Sequence, residues 1–218
     1  MPTTTGKKIA IVTGSALGLG YELASQLIAN GWLVAGVDFN AERQAELTAQ
    51  WPDDSYRAYV GDITDEAFVK ESVADIATLG HIDLLINNAG QPSFKVPTAY
   101  EAADVDKCLK GLKGMILWTV ETLKACGEQN VKIAQIMSTA ATRGNANESV
   151  YCATKGGVRK AIPRVCRPHT RAPVSRWSPS IRAALIPLST VTVATTSPRP
   201  SSTPSCSPVR WPKSSSST

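Results

Sequence analysis

Tyr151 and Lys155 stand four residues apart in the run Tyr151-Cys152-Ala153-Thr154-Lys155, and Ser138 precedes the tyrosine by 13 residues. On a helix, positions i and i+4 share a face, so this spacing sets a phenol beside an ammonium. A neighbouring cation favours phenolate and is expected to pull a pKa of about 10 toward the working range. Such a phenol can give or take the proton of a hydroxyl. Ser138, at a strand end, is placed to hydrogen-bond the same oxygen and orient it. Singly these are a half-buried tyrosine, a surface lysine and a strand-end serine. Together they read as a proton-transfer site.

A second cluster lies near the N-terminus. The first apolar strand runs into Thr13-Gly14-Ser15-Ala16-Leu17-Gly18-Leu19-Gly20 and opens a helix. Glycines there let the backbone turn tightly and approach a pyrophosphate, whose charge then sits on free N–H groups at the helix N-terminus. A tight strand–helix turn is the plainer reading of glycines alone, but Asp38 closes the next strand 18 residues after Gly20. An acidic side chain there accepts hydrogen bonds from a ribose diol and repels a 2′-phosphate. With Phe39 and Asn40 following Asp38, and no Arg or Lys in the loop, NAD is favoured over NADP. Hydride transfer at a nicotinamide would complement the proton chemistry of Tyr151.

The elements that must position these groups are short apolar runs alternating with amphipathic stretches up to about residue 160. Strands are predicted at Ile9–Thr13, Leu33–Asp38, Arg57–Gly61, Leu84–Asn87 and Lys132–Met137. Helices are predicted over Gly18–Asn30, with Leu19, Leu23, Leu27 and Ile28 on one face, then Ala41–Gln50, Asp65–Thr78 with Asp65 as cap, and about Glu101 to Glu128. Strand–helix alternation of this kind reads as right-handed βαβ units. The expected class is α/β: a Rossmann-type doubly wound parallel sheet flanked by helices, its C-terminal part truncated or irregular.

The spacing G-x-x-x-G-x-G after Thr13 resembles that of the classical short-chain dehydrogenase/reductase family, and the match continues along residues 7–160. Asn87-Asn88-Ala89-Gly90 matches the family's N-N-A-G, and Tyr151 to Lys155 its Y-x-x-x-K. The resemblance implies Tyr151 as acid/base, Lys155 as the group that lowers its pKa and holds a ribose, and Ser138 as substrate stabiliser. It implies a cofactor-binding set made of the loop residues Thr13, Gly14, Ser15, Leu17, Gly18, Leu19 and Gly20, of Asp38 with Phe39, and of Asp62 with Ile63 at the adenine. Asn88, Ala89 and Gly90, with Tyr151 and Lys155, complete that set. The implied reaction interconverts a carbonyl and a secondary alcohol, the partner being a small-molecule alcohol or ketone. The intact family member is expected to be a homodimer or homotetramer. One position departs from the pattern: the family's N-x-x-G reads Gly111-Leu112-Lys113-Gly114 here, so the Asn thought to hold a water in a relay through the lysine is missing. Lys110 and Lys113 are expected to be solvated. Met137, Ala140, Arg143, Asn145 and Asn147 are expected near the substrate.

Beyond Lys155 the sequence changes character. Of the 218 residues, positions 1–155 carry all 18 acidic residues against 13 Lys and Arg, whereas positions 156–218 carry ten Lys and Arg and no acid. Ten of the 14 prolines lie in that tail. The formal net charge of +5 therefore sums −5 and +10 and is no basic surface on a fold. Pro163 and Pro168 are expected to break the helix that carries Tyr151. Shifting the codon frame lets residues 169–187 read A-Y-K-G-T-S-V-K-V-V-A-V-Y-P-G-G-I-D-T, an apolar strand followed by the P-G turn and Thr that the resemblance requires. The expectation is a base deletion, or a two-base insertion, at about residues 155–162. Positions 1–160 then form an incomplete NAD(P)-binding domain and 161–218 a disordered tail, and the chain as written is unstable or inactive. Resequencing the gene decides this; an intact frame with a stable product sinks it.

Other classes are disfavoured. No run approaches the roughly 18 apolar residues of a membrane span. Five cysteines (Cys108, Cys126, Cys152, Cys166, Cys206) show no C-x-x-C pair or metal spacing. With no apolar leader before Ile9, they point to a reducing, cytoplasmic setting and no metal. Arginines in the tail are dispersed without an aromatic platform, so nucleic acid is not an expected partner. A non-catalytic dinucleotide-binding protein stands as the alternative to an oxidoreductase.

Overall fold

The computed structural model describes residues 6–127 and 129–165. The expected frame break falls at its C-terminal edge, and the tail from residue 166, with Pro168, Cys166 and Cys206, lies outside the described residues. Five parallel strands, β1 (Ile9–Thr13), β2 (Leu33–Asp38), β3 (Tyr56–Val60), β4 (Ile82–Asn87) and β5 (Lys132–Gln135), form one sheet in the order β3-β2-β1-β4-β5. The helices are α1 (Gly18–Ala29), α2 (Ala41–Gln50), α3 (Glu66–Leu79), α4 (Ala102–Cys126) and α5 (Ser149–Val165). This is the doubly wound parallel architecture.

β1 is central and every residue of Ile9–Thr13 is buried. Its side chains alternate between two cores, as the period-2 pleat requires. Ile9 and Ile11 join Val69, Val73 and Ile76 of α3 and Trp118 of α4. Val12 faces the other way, into a cluster with Val34, Leu47 of α2, Ala24 of α1 and Tyr56. Successive strands β1, β2 and β3 step to one side, then β4 returns to the other side of β1. That reversal makes a switch point at the carboxyl ends of β1 and β4, where open α/β sheets bind ligands.

Several elements depart from their expected limits for physical reasons. β3 starts one residue early because Tyr56 pairs with Val34 and is itself buried. β4 starts at Ile82, which pairs with Ile9 across an irregularity, and Asp83 Oδ2 accepts a hydrogen bond from Ile9 N at 3.0 Å. Asp65 caps α3 as expected, accepting from the amides of Ala67 and Phe68. In α1, Leu23, Leu27 and Ile28 pack on the core, but Leu19 does not belong to that cluster. The buried positions of α1 are Gly20 and Ala24, and Leu19 lies beside that face, half-buried. α5 is not broken at Pro163 but continues to Val165. A proline in the last turn removes one amide donor, where an interior one would also interrupt the turns that follow.

Candidate active site

The glycine loop is shaped for an anion. Gly14 and Gly18 have φ of +68° and +55°, conformations that side chains rarely adopt. Leu17 is the N-cap of α1 but supplies no side-chain hydrogen bond, and the first turn holds no acidic residue. The first amides of α1 are thus free to meet a phosphate group at the positive end of the helix. Ser15 and Thr13 contribute backbone rather than side chain. Ser15 is fully buried, its hydroxyl paired with Tyr56 Oη at 3.1 Å and accepting from Gln44 Nε2 at 3.1 Å. Thr13 Oγ1 accepts from the amides of Asn88 and Ala89, at 3.1 and 3.2 Å. Asn88 Nδ2 in turn donates to the carbonyls of Thr13 and Gly14, both at 3.1 Å. Asn88-Ala89-Gly90 is therefore stitched to the glycine loop across the switch point.

Asp38 is half-buried at the end of β2, with Oδ2 accepting from Ala16 N at 3.1 Å and Oδ1 from Asn40 N at 3.0 Å. Each oxygen keeps acceptor capacity, so the carboxylate is fixed in orientation and open to a diol. Phe39 and Leu17, 72% and 63% exposed, flank it. The uncapped helix, the left-handed glycines and this carboxylate together fit a dinucleotide. Sequence reasoning missed Arg43, on the first turn of α2, whose Nε donates to Ala16 O at 3.3 Å. It also missed Gln44 and Tyr56, which brace the loop from beneath.

Asp62 is tied more firmly than expected. Its Oδ1 accepts from Thr64 N and Thr64 Oγ1 at 2.9 and 2.8 Å, and its Oδ2 pairs with Lys110 Nζ at 2.7 Å. Lys110 is thus not merely solvated. Chiefly through that bond, the Asp62 carboxyl is held down at about 2. Because the folded value lies below the unfolded one, the pair stabilises the fold fully above about pH 4. That contribution is lost as the pH falls through about 2. Both side chains are well exposed, so Lys110→Ala is expected to cost less than about 1 kcal/mol in urea denaturation at neutral pH. The difference should shrink in high salt and disappear in strong acid. Ile63 lies against Gly114 of α4, where an added Cβ would come within 2.7 Å of Ile63 Cγ1.

The three proton-transfer candidates meet at the same edge of the sheet. Ser138 follows β5 and starts a 3-10 turn (Thr139–Ala141), its Oγ accepting from Ala140 N at 3.2 Å. Tyr151 and Lys155 share the inward face of α5, with Lys155 Nζ 5.8 Å from the tyrosine ring centre. In the cofactor-free chain the phenol stands above, not below, its ordinary value. Lys155 Nζ donates to Ile136 O at 2.7 Å, and burial pushes the ammonium down. Burial likewise pushes the Tyr151 phenol up, with hydrogen bonding to Ser138 pulling the other way. The shared face was legible; the aim of the ammonium was not.

Beneath these groups a cavity of about 20 Å³ is bordered by Gly90, Gly111, Gln135, Tyr151 and Lys155, with Asn87 and Cys108 behind. None of Met137, Ala140, Arg143, Asn145 or Asn147 lines it. Asn147, with φ of 60°, instead accepts from Lys95 N at 2.8 Å and so fastens the segment after β4. Gly111 packs on the sheet directly: a Cβ there would lie 3.2 Å from Gly90 Cα. Among the described residues Cys108, Cys126 and Cys152 are free thiols, no cluster of metal-ligating side chains occurs, and no helix is long and apolar enough to cross a membrane.

A doubly wound sheet with a phosphate-ready loop and a Ser-Tyr-Lys edge defines a dinucleotide-binding domain of dehydrogenase type. Comparison with known proteins gives the same class. The family model described as short chain dehydrogenase matches residues 8–175, past the residue 160 at which the resemblance was expected to end. The chain belongs to the short-chain dehydrogenase family. D-threitol dehydrogenase of Mycolicibacterium smegmatis is 33% identical over 160 residues, covering 69% of this chain and 60% of that protein. The NAD(+)-linked 2-dehydro-3-deoxy-L-rhamnonate dehydrogenase of a Sphingomonas species is 33% identical over 155 residues, covering 69% and 61%. Among solved structures, a gluconate 5-dehydrogenase from Burkholderia cenocepacia, in complex with NADP and tartrate, superposes with a TM-score of 0.67 at 27% identity, covering 73% of this chain and 64% of that one. The chain spans about three fifths of the length of these curated relatives.

Proposed function

We propose that the protein is an NAD(P)-dependent oxidoreductase that interconverts a carbonyl and a secondary alcohol. The observation that carries this reading is the placement of Ser138, Tyr151 and Lys155 at the sheet edge where Asn88 is bonded to the glycine loop. Hydride exchange with the substrate carbon is the chemistry a bound nicotinamide supplies. Tyr151 Oη takes the hydroxyl proton during oxidation and returns it during reduction. Ser138 Oγ holds the substrate oxygen, and Lys155 anchors the tyrosine's surroundings through Ile136 O and offers its remaining donors to a ribose.

NAD is the proposed cofactor, because the fixed Asp38 carboxylate would face a 2′-phosphate. Relatives linked by name to NAD(+) and to NADP both exist. Asp38→Ser is expected to raise the NADPH over NADH ratio of kcat/KM by about tenfold or more, with Arg43 as the nearby cation. An unchanged ratio would remove Asp38 from the cofactor-selecting role.

The substrate is a small alcohol or ketone, and assembly as a homodimer or homotetramer in the cytoplasm accompanies the reading. The changed composition after residue 155 supports a frame break at about residues 155–162. The decisive experiment screens alcohols and ketones with NAD(H) and NADP(H), using both the chain as written and a frame-restored chain. Turnover by the restored chain alone supports both proposals. Turnover by the chain as written removes the frame break. NADH binding without turnover in either selects the non-catalytic alternative, which the bare Gly111 favours.

A further inference from the structure

The rim where β2 and β3 end carries a second polar feature besides Asp38. Gly61 N donates to Asp38 O at 3.0 Å, so Asp62, the next residue, stands beside the proposed ribose carboxylate. Asp62 Oδ1 accepts twice, from Thr64 N and Thr64 Oγ1, which fills both of its lone-pair positions. Its Oδ2 accepts once, from Lys110 Nζ at 2.7 Å, and so keeps one acceptor place. The Lys110 ammonium carries three donors and makes that one hydrogen bond among the described residues. The side chains of Lys110 and Asp62 are 55% and 43% exposed, so a ligand can reach both. The spot therefore offers an acceptor and donors side by side, where a lone carboxylate would offer an acceptor only.

We propose that Lys110 is a specificity-determining residue for the base of the cofactor: paired with Asp62, it lets the site take a 6-oxopurine dinucleotide as readily as an adenine one. Adenine presents its N6–H donor beside a ring-nitrogen acceptor. Hypoxanthine presents its N1–H donor beside the O6 acceptor. Either edge meets Asp62 Oδ2 with its donor and Lys110 Nζ with its acceptor. Without the ammonium, O6 would lie against an uncompensated carboxylate and be repelled. Adenine puts no oxygen there and would lose one bond only. Exposed ion pairs are weak, so Lys110 can share itself with a base at little cost to the fold. The inference rests on the dinucleotide reading, with the base lying toward Asp62.

The test needs binding alone and uses the full chain, both as written and frame-restored. NADH and its hypoxanthine counterpart are titrated by nicotinamide fluorescence, and the ratio of their dissociation constants is read. In the wild type the two constants should agree within about threefold. Lys110→Met should shift the ratio against hypoxanthine by about tenfold, the low end for a lost hydrogen bond to a charged group. Lys110→Arg keeps the cation and should hold the ratio near the wild-type value. A merely structural role for Lys110 would weaken both ligands together and leave the ratio unmoved. If Lys110→Met does not fold, Lys110→Ala reads the same ratio. A wild type that rejects the hypoxanthine dinucleotide by about tenfold or more overturns the proposal. A ratio unmoved in the folded variant does the same, and in both cases NADH binding leaves the dinucleotide reading standing. Binding of neither dinucleotide sinks both.

Discussion

Replacing Tyr151 by phenylalanine in the frame-restored chain is expected to lower kcat by about 10²- to 10⁴-fold, the range of a lost general acid–base group. NADH affinity should stay within about twofold, since the phenol is removed while the ring remains packed on α5. Ser138 and Tyr151 converge at the open edge of the sheet, and among the described residues no His, Asp or Glu borders the cavity beneath them to take over the proton. The pH profile adds a second reading. Burial holds the phenol above its ordinary value in the cofactor-free chain, so oxidation should rise with pH through a group titrating in the alkaline range. Turnover that persists at wild-type level in the phenylalanine variant would remove Tyr151 from the chemistry. Fluorescence titration with NADH, run beside steady-state kinetics, separates this from a folding defect.

Gly20→Ala is expected to abolish measurable NADH binding and to lower stability by about 1–3 kcal/mol or more. A Cβ at Gly20 would overlap Gly14 O and lie 2.6 Å from Asn88 Nδ2. Neither neighbour is free to yield. Asn88 Nδ2 is committed to the carbonyls of Thr13 and Gly14, and Gly14 N donates to Val37 O at 2.7 Å. The gain of about 1 kcal/mol in helix propensity on replacing glycine by alanine does not offset such a clash. Gly156→Ala on α5 is the control, because among the described residues nothing lies within 4 Å of its added methyl. It should be neutral or mildly stabilising. Thermal unfolding of the two variants checks the contrast, and equal stability would show that α1 can move away from the loop.

What could be read from the sequence was what depends on local spacing. Ile9–Thr13 and Leu33–Asp38 are short, mainly apolar runs buried on both faces, and their limits follow from local sequence. The glycine spacing, Asp65 as a cap and the shared face of Tyr151 and Lys155 belong to the same kind. Features set by packing between distant segments were not legible. Lys110 reaches Asp62 across 48 positions in the chain, and Lys155 turns to Ile136 O only because β5 ends beneath it. Gln135 reads as a strand residue like any other until β4, β5 and α5 surround it. Hydrophobicity alone puts Leu19 on the buried face of α1, whereas the fold buries Gly20, pressed against Gly14 and Asn88, and Ala24.

Lys110, Gly111 and Gly114 occupy little more than one turn of α4, yet they touch Asp62, Gly90 and Ile63 respectively. On the proposed reading, a single turn therefore gauges both the adenine end and the proton-transfer end of the cleft. Any change that rolls or slides this helix is then expected to alter nucleotide affinity and acid–base chemistry at once. The segment after β4 is tied to Asn147 O through the Lys95 amide, and to α4 through the Lys95 Nζ–Asp104 ion pair at 2.6 Å. That segment is thus coupled to the same helix, and exchanging it is expected to disturb α4 as well.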